Sequence, residues 1–244
     1  MSPRVYLWES YYELLKTSRQ PEFVIPSLAF PVVFYAMFAI MLGGNWGGYQ
    51  RATYLLATYS VFGVIGPALF GFGVGLAMER QQGLLRLKRV SPMPISAYFV
   101  AKITMSLVFG AVIFGLLSTV GVLFGDVSMN PGVWVGLLAV LLIGVLPFCA
   151  LGLWIGSMAN GQAAVAIVNL VYLPMAVLSG LWMPLFVFPQ FLQEIAVIWP
   201  AWHLAQMALG VVGQIDGVPM LMHALVLCVM TALFLVLAAL NMRR

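Results

Sequence analysis

Between Asp126 and Glu194 the chain carries no charged side chain, and Cys149 and Tyr172 are the only ionisable groups there. A water-soluble fold cannot cover its surface with such a stretch, because soluble domains are about a quarter charged. A membrane-crossing helix can, since it needs about 20 apolar residues and satisfies its own backbone groups. The rest of the chain reads the same way. Of its 244 residues, 63% are hydrophobic and 7% charged, and the mean hydropathy is +1.05. These values imply an all-α integral membrane protein.

Six segments are long and apolar enough to cross: 23–42, which holds Pro26 and Pro31; 54–78, rich in glycine; 103–125; 133–158, with Pro147 inside; 163–182, with Pro174; and 219–240. The positions of Lys and Arg orient them. With the N-terminus in the cytoplasm, ten of the 11 basic residues fall inside, from Arg4 to Arg243 and Arg244, and Arg51 alone falls outside. An even number of spans agrees with basic residues at both termini. The net charge of +4 is therefore an orientation signal, and its clustering points to a lipid bilayer and to no nucleic acid. The reading places the chain in the cell membrane of a bacterium.

Two regions are not simple spans. In residues 1–22, Trp8, Tyr11, Tyr12 and Leu15 recur at helical spacing, with Glu9, Glu13 and Lys16 elsewhere on the wheel. This predicts an amphipathic helix lying in the cytoplasmic interface, after which Pro21 suits the first turn of the first span. That charged start is not expected to be a cleavable signal. Residues 183–218 are apolar, but Pro184, Pro189, Pro200 and Glu194 divide them into pieces too short to cross. A re-entrant outer hairpin is the expected result.

Several chemistries are missing. Cys149 and Cys228 sit alone in apolar runs, which gives neither a disulfide framework nor metal-ligand spacing. Ser179 precedes Gly180, but Val177 stands where an intramembrane serine protease needs glycine. His203 and His223 fall near outer span ends and read as interfacial. Only Lys16 is followed by a hydroxyl residue, Thr17, and Leu15 occupies the place where a phosphate-binding loop needs glycine. The chain cannot bind ATP in that way. Gly71 and Gly75 form a small-xxx-small pair, suited to packing within the subunit or to a dimer face. In mid-span, Thr58, Asn169, Tyr172 and Ser179 are polar groups available for interhelical hydrogen bonds or a substrate path. Asn169 and Tyr172 share a face.

The charge is gathered instead in residues 79–102. Glu79 and Arg80 close the second span, and Lys102 opens the third. Glu79 and Lys102 either pair or snorkel separately to the headgroups. Gly83 permits a turn. Leu84, Leu87 and Val90 then form one stripe of a short helix, and Arg86 and Arg89 another, with Leu85 and Lys88 between. Pro92 and Pro94 stop it. Such a helix suits either a positive loop resting on anionic lipid or a rigid knob docking into a cytoplasmic partner.

This stretch resembles the loop of type-2 ABC exporter permeases, in which an acid ends the second span and a glycine, leucines and Ser-Pro follow; here these are Glu79, Gly83, Leu85, Ser91 and Pro92. The outer segment is similar too, with Ser179, Gly180, Pro184, Pro189 and Pro200 in the family's order. The resemblance implies a 1–22 interfacial helix followed by a six-span permease domain over 23–244. It implies a second permease copy, identical or paralogous, and two separate ATPase subunits that hydrolyse ATP. It also implies a coupling helix after Glu79 that docks on the ATPase and drives export. A drug, an antibiotic, a lipid or a lipid-linked glycan would suit so apolar a wall. A scramblase or channel needing no ATP, and a membrane assembly subunit that transports nothing, remain the alternative readings.

Overall fold

The computed structural model describes residues 3–41, 44–46, 49–90 and 93–242. Ser91, Pro92, Arg243 and Arg244 lie outside the described residues, as do the side chains of Arg86 and Arg89.

The fold is all-α. Helix α1 is Arg4–Ser18. The first span, α2 (Pro21–Met41), starts on Pro21 and ends in a π-helical turn. A two-residue β pairing, Asn45–Trp46 with Tyr49–Gln50, leads to α3 (Arg51–Gln81). After Gly83 come α4 (Leu84–Val90) and α5 (Ile95–Phe124). Helix α6 (Pro131–Met158) breaks at Val145, just before Pro147. Helix α7 is Gly161–Leu178 and is capped by the Asn160 side chain, which accepts from the Ala163 N–H at 2.9 Å. Two short helices, α8 (Gln190–Ala196) and α9 (Pro200–Val211), precede α10 (Met220–Met242). Among the described residues, α2, α3, α5, α6, α7 and α10 are long and apolar enough to cross a membrane. The segments at 183–218 are too short to do so, as expected, and α9 packs on α3, α6 and α10.

The third span begins earlier than the sequence suggested. Lys102 lies two turns inside α5 rather than at its start.

Helix α3 is the centre of the bundle. Its span is 72% buried, against 17% for α2 and 11% for α10. Every residue from Ala52 to Leu69 is buried, whereas α10 exposes Leu225, Val229, Leu233 and Val236, the pattern of a helix edge facing lipid. The α3 glycines make this burial possible. A Cβ on Gly71 would lie 2.5 Å from Met105 of α5, and one on Gly73 would lie 2.7 Å from Val168 of α7. The small-residue row therefore packs within the chain. On α6, a Cβ at Gly156 would lie 2.8 Å from the carbonyls of Phe72 and Gly73, so there two backbones meet.

Candidate functional site

At one end of the bundle the last turn of α3 ties together four other elements. Arg80 donates to the Ser157 carbonyl and, at 2.7 Å, to the Ala159 carbonyl, capping the end of α6. The Gln81 side chain accepts from the Gly161 N–H at 3.0 Å, at the first turn of α7. Glu79 points the other way, into a buried ion cluster. Lys102 of α5 reaches Glu13 at 2.8 Å and Glu79 at 3.3 Å. Lys16 of α1 bonds Glu79 and lies 3.6 Å from Glu13. The Tyr98 hydroxyl donates to the second Glu79 oxygen at 2.7 Å.

Lys102 is 1% exposed and Glu79 5%, so the two pair and do not snorkel separately. Lys102 fits there because Gly75 has no side chain; a Cβ at that position would lie 3.2 Å from its ammonium. Burial opposes the Lys16 charge, but Glu79 and Glu13 outweigh it and hold the Lys16 pKa above its ordinary value. Buried charges persist only when paired and hydrogen-bonded, and this cluster supplies both.

Helix α1 lies along α5 with its polar side inward, burying Ser10, Glu13 and Thr17. Trp8, Tyr11 and Tyr12 form an exposed, mutually packed aromatic face. The sequence showed that aromatic face but left Glu13 and Lys16 on an ordinary polar side. Its missed signal was that two ionisable groups at apolar span ends, Glu79 and Lys102, require partners from somewhere in the chain.

Helix α4 hangs from this cluster through Gly83, whose φ of +77° is readily adopted only by glycine. Leu85 turns inward against the core. Leu84, Leu87 and Val90 are exposed, the last two at 64% and 83%. Lys88 bonds Glu9 of α1 and lies 4.6 Å over the Tyr98 ring, so its charge joins α4 to α1 and α5. A groove of about 670 Å³ between α1 and α4 brings Tyr12 and Leu15 together with Leu84 and Leu87.

A second feature lies between α2, α3 and α7. A cavity of about 420 Å³ is walled by Phe30, Phe62, Phe70, Tyr172 and Trp182. Tyr172 stacks on Phe62 with ring centres 5.0 Å apart, and its hydroxyl donates to the Phe62 carbonyl at 3.1 Å. Asn169 lines the same cavity and donates to the Val165 carbonyl at 2.9 Å. The structure thus joins two of the four predicted path residues. Thr58 is buried inside α3, donating to the Leu55 carbonyl, and Ser179 is buried beyond the end of α7; neither lines the cavity.

At the opposite end, His203 and His223 are buried inside the protein. They are 1% and 4% exposed and face each other, Nδ1 to Nδ1, at 2.9 Å. The Val197 carbonyl can only accept, so His203 donates to it from Nε2, at 2.9 Å. His203 Nδ1 must then accept, and His223 donates from its own Nδ1. Trp202 packs edge-on against both rings. Burial lowers the His203 pKa, only partly offset by the Val197 bond. The sequence placed both histidines near one end, but their mutual contact needs the α9–α10 packing, which it did not show.

Comparison with known proteins gives the family. The ABC-2 type transporter family model matches residues 8–213. The chain is also 30% identical, over 94% of its own length and 94% of the relative's, to the Bacillus subtilis (strain 168) protein named "Putative transport permease YvfS". On both findings, this multi-pass membrane protein belongs to the ABC-2 type transporter permease family.

Proposed function

We propose that the chain is the membrane half of an ATP-driven exporter, working as a pair of permease subunits with two separate ATPase subunits. The N- and C-termini face the cytoplasm, and ATP and magnesium are bound by the partner. The observation that carries this reading is the exposed stripe of Leu84, Leu87 and Val90 on a helix braced from behind by a buried ion cluster. An apolar stripe facing water is unfavourable unless a partner covers it. The groove beside it, shared with Tyr12 and Leu15, extends the docking surface to α1. Motion of the ATPase reaches Glu79 through α4 and so moves α3, the central helix.

The aromatic cavity between α2, α3 and α7 is the substrate path, and it suits an apolar or amphipathic cargo. The 183–218 segment serves as a partly inserted outer lid, with α9 against the bundle.

Burying a leucine stabilises a contact by roughly 1.5–3 kcal/mol, whereas an exposed charge pair gives about 1 kcal/mol or less. Leu87→Glu is therefore expected to uncouple ATP hydrolysis from transport, and Arg89→Ala to have a milder effect. The assay is vesicle transport and ATPase activity with the partner subunit present. Normal transport by Leu87→Glu, or transport by the chain reconstituted without any ATPase, would overturn the reading.

A further inference from the structure

A second cavity of about 480 Å³ lies against the ion cluster and shares Glu22, Phe23 and Phe70 with the aromatic cavity. The two cavities are neighbours at these residues, one toward the Glu79 end of the bundle and the other toward Trp182. The charges along the second cavity are unequal. Glu13, Glu22 and Glu79 line it with Lys16 and Lys102. Both lysines are occupied by Glu13 and Glu79. Glu22 makes no ion pair or hydrogen bond among the described residues. It is exposed, at the start of the first span, and lines both cavities.

Beyond Glu22 no lysine or arginine lines the aromatic cavity among the described residues. An anion entering there would meet a carboxylate and no positive side chain. A cation would meet the same carboxylate with favourable sign. Asn169 adds to this: its amide nitrogen is used on the Val165 carbonyl, and its free oxygen is an acceptor.

We propose that the transported substrate is an amphipathic organic cation, with its apolar or aromatic body against Phe62, Phe70 and Tyr172 and its charge on Glu22. This rests on the reading of the cavity as the substrate path.

Tetraphenylphosphonium and tetraphenylborate are nearly the same size and shape and differ in charge, so they test sign alone. Equilibrium binding of each to the purified full chain is measured, with empty micelles subtracted. The wild-type chain is expected to bind the phosphonium saturably and more tightly than the borate. Glu22→Gln should weaken phosphonium binding about fivefold, the size of one exposed charge contact, and remove the preference. Glu22→Asp should keep the preference, and Glu22→Lys should reverse it. Tyr172→Leu should weaken both probes alike.

If Tyr172→Leu weakens both probes while Glu22→Gln changes neither, the cavity stands as a binding site and the cation inference is overturned. If Tyr172→Leu leaves both unchanged, the substrate path itself is misplaced and the inference falls with it. Absence of saturable phosphonium binding to the wild-type chain also overturns it.

Discussion

At the Glu79 end of the bundle, Glu13, Lys16, Glu79 and Lys102 hold α1, α3 and α5 together with full charges. At the opposite end, α9 and α10 meet through two buried imidazoles, His203 and His223, wedged by Trp202. Separating buried charges strands each in a medium that cannot solvate it, so the first contact resists opening strongly. A hydrogen bond between two neutral imidazoles is a weaker tie. Three helices are tied at the charged end by the contact that costs more to break, and the far end is held by the one that costs less. Under the proposed function, the end that receives force is the end held by the stronger tie.

The strongest way to break this comparison is to remove one member of the ion cluster. Lys102→Met leaves Glu13 and Glu79 with Lys16 alone, and breaking a buried pair costs roughly 3–5 kcal/mol. Thermal or denaturant unfolding in detergent should show a loss of that order. Adding Glu79→Gln to Lys102→Met should cost less than the sum of the two single changes, because each relieves the charge the other strands. A single-variant loss under about 1 kcal/mol would mean that the cluster behaves like a surface pair, and the two ends would not differ.

A pH scan sharpens the same contrast with a smaller effect. The His203 pKa is lowered in the folded chain by burial. Its contribution is thus fully present above the ordinary histidine value of 6.5 and is lost as pH falls toward the lowered one. The Lys16 pKa is raised by Glu79 and Glu13 against the cost of burial. Its contribution is present below the ordinary 10.5 and is lost as pH rises through the raised value. Hydrogen exchange should show α9 loosening first in mild acid and α1 loosening first in alkali. Replacing both facing imidazoles, His203→Phe with His223→Phe, should remove most of the acid response. Simultaneous loosening of both ends in acid would contradict the assignment.

Much of this architecture was legible in the sequence, for a physical reason. A span needs a long apolar run whatever its neighbours, so all six spans appeared from composition and spacing, as did the short helix after Gly83. Asn169 and Tyr172 could be paired because helical periodicity is local. What stayed hidden depends on which helix lies beside which. That Lys102 needs a partner could be read from its apolar setting, but not that Glu13 of the interfacial helix supplies one, because that contact joins residues 89 apart in the chain. Nor could the sequence decide between a paired and a snorkelling Lys102, which turns on the space left by Gly75 on a different helix. His203 and His223 read as interfacial because both fall near span ends, yet α9 folds back and buries them.

The smallest expected change in stability tests whether the charged end passes its stiffness on to α4. Gly83 has a φ of +77°, and a Cβ there would touch nothing within 4 Å. Replacing it therefore costs only backbone conformation, at most about 1–2 kcal/mol and less if the exposed turn relaxes. Unfolding of Gly83→Ala should stay close to wild type. Its coupling should not, because relaxing the turn re-aims Leu84, Leu87 and Val90 relative to Glu79. Asparagine tolerates the left-handed region better than alanine, so Gly83→Asn should retain more transport per ATP hydrolysed. If both variants transport equally well, α4 is held by Leu85 and the Lys88–Glu9 bond rather than by its turn, and the rigidity of the charged end reaches it from the side, through α1.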